Sequence, residues 1–301
     1  MLSAVAIVLN GISRKKKKFY RDIYPALASK FDLTIFETQR AGHAIELASK
    51  AADQGFDFII AAGGDGTLNQ VVNGVQLHRS HSQHVLGLIP LGTGNDFART
   101  CGLSADARVL ATLIESNFPN PVDLGRITCR DQEGRKVTRY FINACSVGMG
   151  PAVVKRLAKS HRTLGPTLTY WKAITATFLT HRPEEIYCTT PAWEWQGKIR
   201  VLAIANARSF GNALYIAPDA VVDDGVLNVF IAGALPLWKF LVYQHAMKTK
   251  KKIRDGLITY NQSTRIELHS TGVCAIEAEG ELAGFLPAEI EVLPKSINFL
   301  R

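Results

Sequence analysis

Apolar residues fall in short uninterrupted runs along the first third of the chain, and each run ends in small or polar residues. The run 5–9 ends in Asn10-Gly11, 33–36 in Glu37-Thr38, 56–62 in Gly63-Gly64, and 85–89 in Pro90-Leu91-Gly92. Apolar runs without alternation are those of strands buried on both faces. Between them Ala44, Ile45, Leu47, Ala48, Ala51 and Ala52, and then Leu68, Val71, Val72 and Val75, recur at the spacing of one helix face. Strands alternating with helices predict a parallel sheet, and such sheets bind ligands at the carboxyl ends of their strands. Asn10, Thr38, Gly63 to Thr67 and Thr93 would all lie along that edge.

The pattern changes after about Asp123. Short alternating segments dominate from there: 139–143, 198–206, 226–231, 264–268 and 273–278. Turn signals separate them, among them Asp131-Gln132-Glu133-Gly134, Asp223-Asp224-Gly225 and Ser270-Thr271-Gly272. Many short strands with such turns predict an antiparallel sandwich. The stretch 149–180 is the exception and reads as helical at both ends. The expectation is an α/β domain over 1–123 and a β-rich domain over 124–288.

The chemistry concentrates in two loops. Gly63-Gly64-Asp65-Gly66-Thr67 lies between a buried strand and a helix, where glycine lets the backbone approach an anion and the helix offers unpaired N–H groups. Asp65 would repel a phosphate unless a cation lay between them, so the loop suggests phosphate together with Mg²⁺. A tight turn with a capping Asp accounts equally well for these five residues alone. The second loop, Pro90-Leu91-Gly92-Thr93-Gly94-Asn95-Asp96, repeats the design after the next strand and favours the phosphate reading.

These segments, with Leu68-Asn69, Val71-Val72-Asn73-Gly74 and Phe97-Ala98-Arg99, resemble the diacylglycerol kinase catalytic family, and the layout is most similar to its bacterial YegS/BmrU-type lipid kinase branch. Gly-Gly-Asp-Gly is shared with other nucleotide-dependent kinases, whereas 91–99 is far more specific. Ala217-Pro218-Asp219-Ala220 to Asp223-Asp224-Gly225 and Glu279-Gly280-Glu281 resemble later family motifs, so the likeness spans nearly the whole chain. It implies a Rossmann-like nucleotide-binding domain, a β-sandwich-like second domain, and a C-terminal segment, 289–301, that returns to the first. It implies an ATP site made of Asn10, Thr38, Gly63, Gly64, Asp65, Gly66, Thr67, Leu68, Asn69 and Thr93. It also implies a structural Mg²⁺ at Asp224 with the backbone carbonyls of Val221 and Val226, and a lipid hydroxyl as acceptor. The family's Asp-Gly-Glu base maps onto Glu279-Gly280-Glu281, with Glu where Asp is usual. Glu281 is expected as the base, Glu279 as its support, and Asp65 as the charge at the phosphates. Gly11 replaces a usual Pro, and Gln70 a frequent Glu.

The resemblance implies an ATP-dependent kinase of diacylglycerol or a related lipid such as phosphatidylglycerol, and the remaining composition agrees with it. No apolar stretch is long enough to cross a membrane. The N-terminal strand precedes its lysines, the wrong order for a secretion signal. Five scattered cysteines argue against zinc or a disulfide framework and for a reducing cytoplasm. The net charge of +9 is concentrated in 14–18 and 248–254, the latter beside Trp238, Phe240, Leu241 and Tyr243. Basic plus aromatic suits transient contact with a membrane surface. A core-packed helix with a solvated basic end is the plainer account. No nucleic-acid partner is expected, and a homodimer is left open. The alternatives are a kinase for a soluble alcohol such as NAD, or a non-catalytic basic membrane-binding protein on a kinase scaffold. His78, His81 and His84 share a helical spacing but lie in a polar connector, Trp193 and Trp195 suit packing as well as stacking, and Asp123 reads as a turn residue.

Overall fold

The structure is a computed structural model that describes residues 3–77, 84–160 and 166–301. Two compact units divide the chain: 1–124 with 294–301, and 125–293.

In the first unit, strands β1 (Ala4–Leu9), β2 (Asp32–Glu37), β3 (Phe58–Gly63) and β4 (Val85–Pro90) form a parallel sheet in the order β2-β1-β3-β4. Val5 lies opposite both Leu33 and Phe58, and Phe58 opposite Val85. Every residue of β3 is buried. One face receives Val5, Ile7, Leu9, Phe58 and Ile60, packed with Phe19, Ile23, Leu27, Leu110 and Ile114. The last five come from a π-turn (Phe19–Ile23) that continues the short helix α1 (Lys16–Lys18), from α2 (Tyr24–Ala28), and from α6 (Ala107–Ser116). The lysine run is therefore the start of a helix. Asp106 caps α6, its Oδ1 accepting from Arg108 N at 2.8 Å. The other face is covered by α3 (His43–Asp53) and α4 (Asp65–Leu77). These two helices pack closely because Gly74 of α4 has no Cβ to strike the Ile45 carbonyl of α3.

The last strand, β14 (Glu281–Phe299), places Asn298 and Phe299 in parallel register with Val85 and Leu86. Phe299 packs edge-on against Phe97 of α5 (Asp96–Cys101), ring centroids 5.2 Å apart, and both rings are fully buried. Removing either ring would cost about 3–5 kcal/mol. Asp123 is not a turn residue: it is fully buried in β5 (Asn120–Arg130), where its Oδ1 accepts from Lys295 N at 2.6 Å. A carboxylate can be buried there because a backbone donor satisfies it.

The second unit is built mainly of antiparallel pairs. β7 (Ala144–Gly148), β8 (Glu184–Thr189), β9 (Glu194–Ala205), β12 (Arg265–Ser270), β13 (Ala275–Ala278) and the first part of β14 pair in the circuit β9-β7-β13-β14-β12-β8, which closes on β9. Closure is possible because the long strands β9 and β14 change partner along their length. The enclosed core holds Ile199, Leu202, Ile204, Ile266, Leu268, Ile276 and Ile290. Cys129, Cys145, Cys188 and Cys274 belong to the same core, and burial pushes the Cys188 thiol up to about 12. Trp195 and Trp193 pack at its edge, the latter donating Nε1–H to the Gln262 carbonyl at 3.0 Å. β10 (Leu227–Gly233) and β11 (Ile258–Ser263) extend the sheet from β9, and β6 (Lys136–Phe141) forms a hairpin with β5. The outer face carries α7 (Met149–Ala158), α8 (Pro166–Thr180) and α9 (Leu237–Met247).

Candidate active site

Adjacent parallel strands β1, β2 and β3 bring Asn10, Thr38 and Thr67 together at their carboxyl ends. Asn10 Nδ2 donates to Thr67 Oγ1 at 3.2 Å, and Gly11 N donates to Thr38 Oγ1 at 3.0 Å. Thr38 and Thr67 are buried. A Cβ at Gly11 would strike the Thr38 carbonyl, which explains why glycine stands there.

The two glycine loops touch. Gly63 O, at the end of β3, accepts from Leu91 N at 2.7 Å and Gly92 N at 3.0 Å. A Cβ at Gly64 would lie 3.0 Å from Gly92 Cα, and one at Gly92 would overlap Gly64. One at Gly63 would overlap the Thr67 side chain. The glycines are thus spent on bringing two backbones into contact. Helix α4 begins at Asp65, so the amides of Asp65, Gly66 and Thr67 form its first turn, where no intrahelical acceptor exists. Asn95, held at φ 51°, locks the second loop by donating Nδ2 to the carbonyls of Pro90 (3.3 Å) and Gly92 (3.2 Å). Its Oδ1 is buried without a partner among the described residues. Thr93 is exposed on this loop, Leu68 and Asn69 are buried in α4, and Lys15 Nζ reaches the Gly92 carbonyl at 2.6 Å.

Asp65 Oδ1 accepts from Phe97 N at 3.1 Å. Burial, and then the charge of nearby Asp96, pushes its carboxyl above the ordinary range, while backbone donors pull the other way. Two neighbouring carboxylates beside a helix N-terminus fit a hard divalent cation, which would relieve their repulsion.

The acidic turn lies in the second unit, between β13 and β14. Glu279 (φ 54°) and Gly280 (φ 83°) turn the chain, and Ala278 pairs with Glu281. Glu279 Oε1 accepts from Asn143 N at 2.6 Å and Ala144 N at 3.2 Å, so this side chain anchors the turn to the start of β7. Glu281 is exposed. Sequence reasoning passed over Glu277, which is buried, accepts from Ser146 Oγ, and takes Gly280 N at 3.0 Å. The signal available was the alternation of Ile276 and Ala278 with Glu277 and Glu279, which puts Glu277 on the face opposite the core.

At the expected Mg²⁺ turn, Asp224 is exposed and its Oδ1 accepts from Val226 N at 3.1 Å, while Val221 is exposed nearby in sequence. No trio of His, Cys, Asp or Glu side chains able to hold a metal gathers among the described residues, and the donors at this turn are one carboxylate and backbone oxygens. Such a set suits Mg²⁺ with water filling most of its shell. His78 and His81 lie outside the described residues. His84 is buried, its Nδ1 2.7 Å from the Phe56 carbonyl.

Comparison with known proteins agrees with this layout. The profile described as "Diacylglycerol kinase catalytic domain" matches residues 4–127, and "YegS C-terminal NAD kinase beta sandwich-like domain" matches 143–301. A diacylglycerol kinase of Bacillus subtilis is 28% identical over 288 residues, covering 94% of this chain and 91% of that protein. A Pseudomonas putida protein named "Probable lipid kinase YegS-like" is 31% identical over 233 residues, covering 76% of this chain and 73% of its own. A solved structure of a diacylglycerol kinase from Bacillus anthracis has the same fold, with a TM-score of 0.69 at 21% identity, covering 99% of this chain and 96% of that one. The chain belongs to the diacylglycerol kinase catalytic family, with the YegS-type C-terminal domain.

Proposed function

We propose that this chain is an ATP-dependent lipid kinase that phosphorylates the hydroxyl of diacylglycerol or a related lipid at the surface of an anionic membrane. The observation that carries the kinase reading is the contact of the two glycine loops at Gly64 and Gly92, which sets the first-turn amides of α4 beside Asp65. Phosphoryl transfer asks chiefly for alignment and charge neutralisation. The α4 amides would hold the phosphates, Asn10, Thr38 and Thr93 would hold the rest of the nucleotide, and Lys15 adds positive charge at the second loop. Asp65 would hold Mg²⁺ at the phosphates, and Asp224 with the carbonyls of Val221 and Val226 a structural Mg²⁺. Held by Asp65, such an ion would supply neutralisation of the phosphate charge. Glu281 takes the proton of the lipid hydroxyl, and Glu279 keeps the turn in place.

The membrane part rests on α8 and α9. The two helices meet through Phe178 and Phe240, stacked with centroids 4.6 Å apart. Met247 is buried on α9, while Trp238, Leu241 and Val242 are exposed there, with Leu168 and Leu179 on α8. One face of α9 packs on the core through Leu237, Phe240, Tyr243, Ala246 and Met247, as the plainer account has it, and the other face leaves Trp238, Leu241 and Val242 exposed. Neither helix carries an acidic residue, and the basic tract 248–254 follows α9. Lys248 lies over the Trp171 ring at 5.0 Å and Lys250 over Tyr215 at 5.4 Å. Lys252 pairs with Asp219 at 2.7 Å, so it contributes less than its neighbours. No helix among the described residues is long and apolar enough to cross a membrane. Exposed apolar side chains ringed by lysine suit a bilayer interface, each basic group adding about 1 kcal/mol at low salt.

Transfer of ³²P from ATP to a panel of diacylglycerol, phosphatidylglycerol, ceramide and NAD tests the activity. Label is expected on a lipid, and label on NAD alone would overturn the reading. Co-sedimentation with vesicles should rise with anionic lipid and fall in Trp238→Ala and Lys251→Gln. Equal binding to neutral vesicles at high salt would remove the electrostatic part.

A further inference from the structure

The charged group most thoroughly taken from water near the acidic turn is Glu277. Ile276 and Ala278 point into the enclosed core, so Glu277 projects from the opposite face, as Ser146 does between the core residues Cys145 and Val147. The two are directly paired across β7 and β13, and both are nearly fully buried. Helix α7 closes over them. A Cβ at Gly150, in its first turn, would overlap Ser146 Oγ and come within 3.4 Å of Glu277 Oε1. No salt-bridge partner stands against Glu277 among the described residues. Its two oxygens accept from Ser146 Oγ and from the amide of Gly280, the middle of the acidic turn. A buried carboxylate without a cation is expensive, and a well-packed apolar residue would serve stability better. Its bonds instead join β7 to the one turn that carries Glu281.

We propose that Glu277 is a positioning residue for the acidic turn, its carboxylate tying the Gly280 amide to Ser146 and so fixing where Glu281 is presented. What Glu281 then does rests on the kinase reading, while the tie itself does not. Ionised, the carboxylate accepts both bonds. Protonated, it commits one oxygen to a proton and the tie slackens. Burial pushes Glu277 up to about 7, against the pull of Ser146 and Gly280, so this change falls within the working pH range. The titratable groups around it are Cys145 on β7, whose thiol is pushed up by burial and then by the charges of Glu277 and Glu279, and Glu279 and Glu281 in the turn. The charged residues of α7, Lys155 and Arg156, are exposed in its last turn.

The test compares wild type, Glu277→Gln and Ser146→Ala by lipid phosphorylation with Mg-ATP over about pH 5.5 to 9, each checked for folding by thermal melting. Wild-type kcat should fall as pH drops through a limb near 7. Glu277→Gln should lose that limb and turn over roughly ten- to a hundredfold more slowly at pH 8 with the KM for ATP unchanged. Ser146→Ala removes a bond that favours the ionised form, so its limb should move to higher pH. That variant also keeps the test should Glu277→Gln fail to fold. Amide exchange of the turn, measured on the same proteins without substrate and corrected for intrinsic rates, should be faster in Glu277→Gln. Wild-type kcat, limb and turn exchange in Glu277→Gln would overturn the proposal. Should even wild type transfer no phosphate, the kinase reading fails, and turn exchange alone decides the tie.

Discussion

The glycine loops of the first unit and the acidic turn of the second solve opposite problems. Around Gly63, Gly64 and Gly92 the chain removes side chains so that backbones meet and helix amides are exposed to a ligand. Around Glu277, Glu279 and Glu281 it adds three carboxylates on alternate residues and spends two of them on holding the backbone. The first design is written in consecutive residues, because a strand, a turn and a helix N-terminus are local. The second depends on β7 and α7, more than a hundred residues earlier in the chain. Mutations should therefore act sharply and locally at the loops, and in graded fashion at the turn.

The largest effect is expected at Asp65. Asp65→Ala should reduce transfer at least a thousandfold by removing the charge that would hold Mg²⁺. The same change should not harm the fold. A carboxyl whose folded pKa is raised contributes stability below its unfolded pKa and loses it as pH rises through the folded one. Once pH rises through that folded value the buried carboxylate costs stability, and there the ligand-free variant should melt no lower than wild type. Normal turnover with an unchanged melting temperature would take the loop out of the mechanism.

Glu281→Gln comes next. It keeps shape and loses basicity, so kcat should fall by roughly 10² to 10⁴ with little change in ATP affinity. If instead Glu279→Gln were dead and Glu281→Gln nearly normal, the two roles would be reversed. Gly92→Ala should act differently, through geometry. A methyl there overlaps Gly64 and parts the loops, so melting should drop by the equivalent of about 1–3 kcal/mol. The rise in melting temperature on adding Mg-ATP should shrink with it. A full ATP-induced rise in that variant would show that loop contact is dispensable.

How far each region could be read in advance follows the same division. β1, β3 and β4 announce themselves because strands buried on both faces need apolar residues throughout. The α/β-plus-sandwich fold class was legible for that reason, and because hairpin turns such as 131–134 punctuate the second half. β8 was not: only Ile186 and Cys188 of its six residues face the core, too short an alternation to stand out. Asp123 looked like a turn residue because nothing near it in sequence reveals the Lys295 amide that satisfies it. Glu277 was passed over: alternation with Ile276 and Ala278 puts it on the face away from the core, but its burial there is conferred by Gly150 and α7. A local pattern can assign such a residue to a face, but the distant partners that bury and satisfy it are not written near it in the chain.

The smallest effect on turnover should come from restoring the residue the family usually carries at position 279. On sequence alone Glu279→Asp reads as harmless, because Glu279 merely stands beside the expected base. The structure changes that expectation. Glu279 sits at positive φ and reaches two amides, Asn143 N and Ala144 N, with a single oxygen. Asp is one methylene shorter and cannot hold both from the same backbone position. Losing one such bond to a charged acceptor costs about 1.5–3 kcal/mol, equivalent to a fall of roughly 3–12 °C in melting temperature for a unit this size. Because the turn also carries Glu281, kcat should fall severalfold while the KM for ATP stays put. A faster or more stable Glu279→Asp enzyme would mean that the turn can shift to follow the shorter side chain, and that the Glu279 clamp does not set the position of the base.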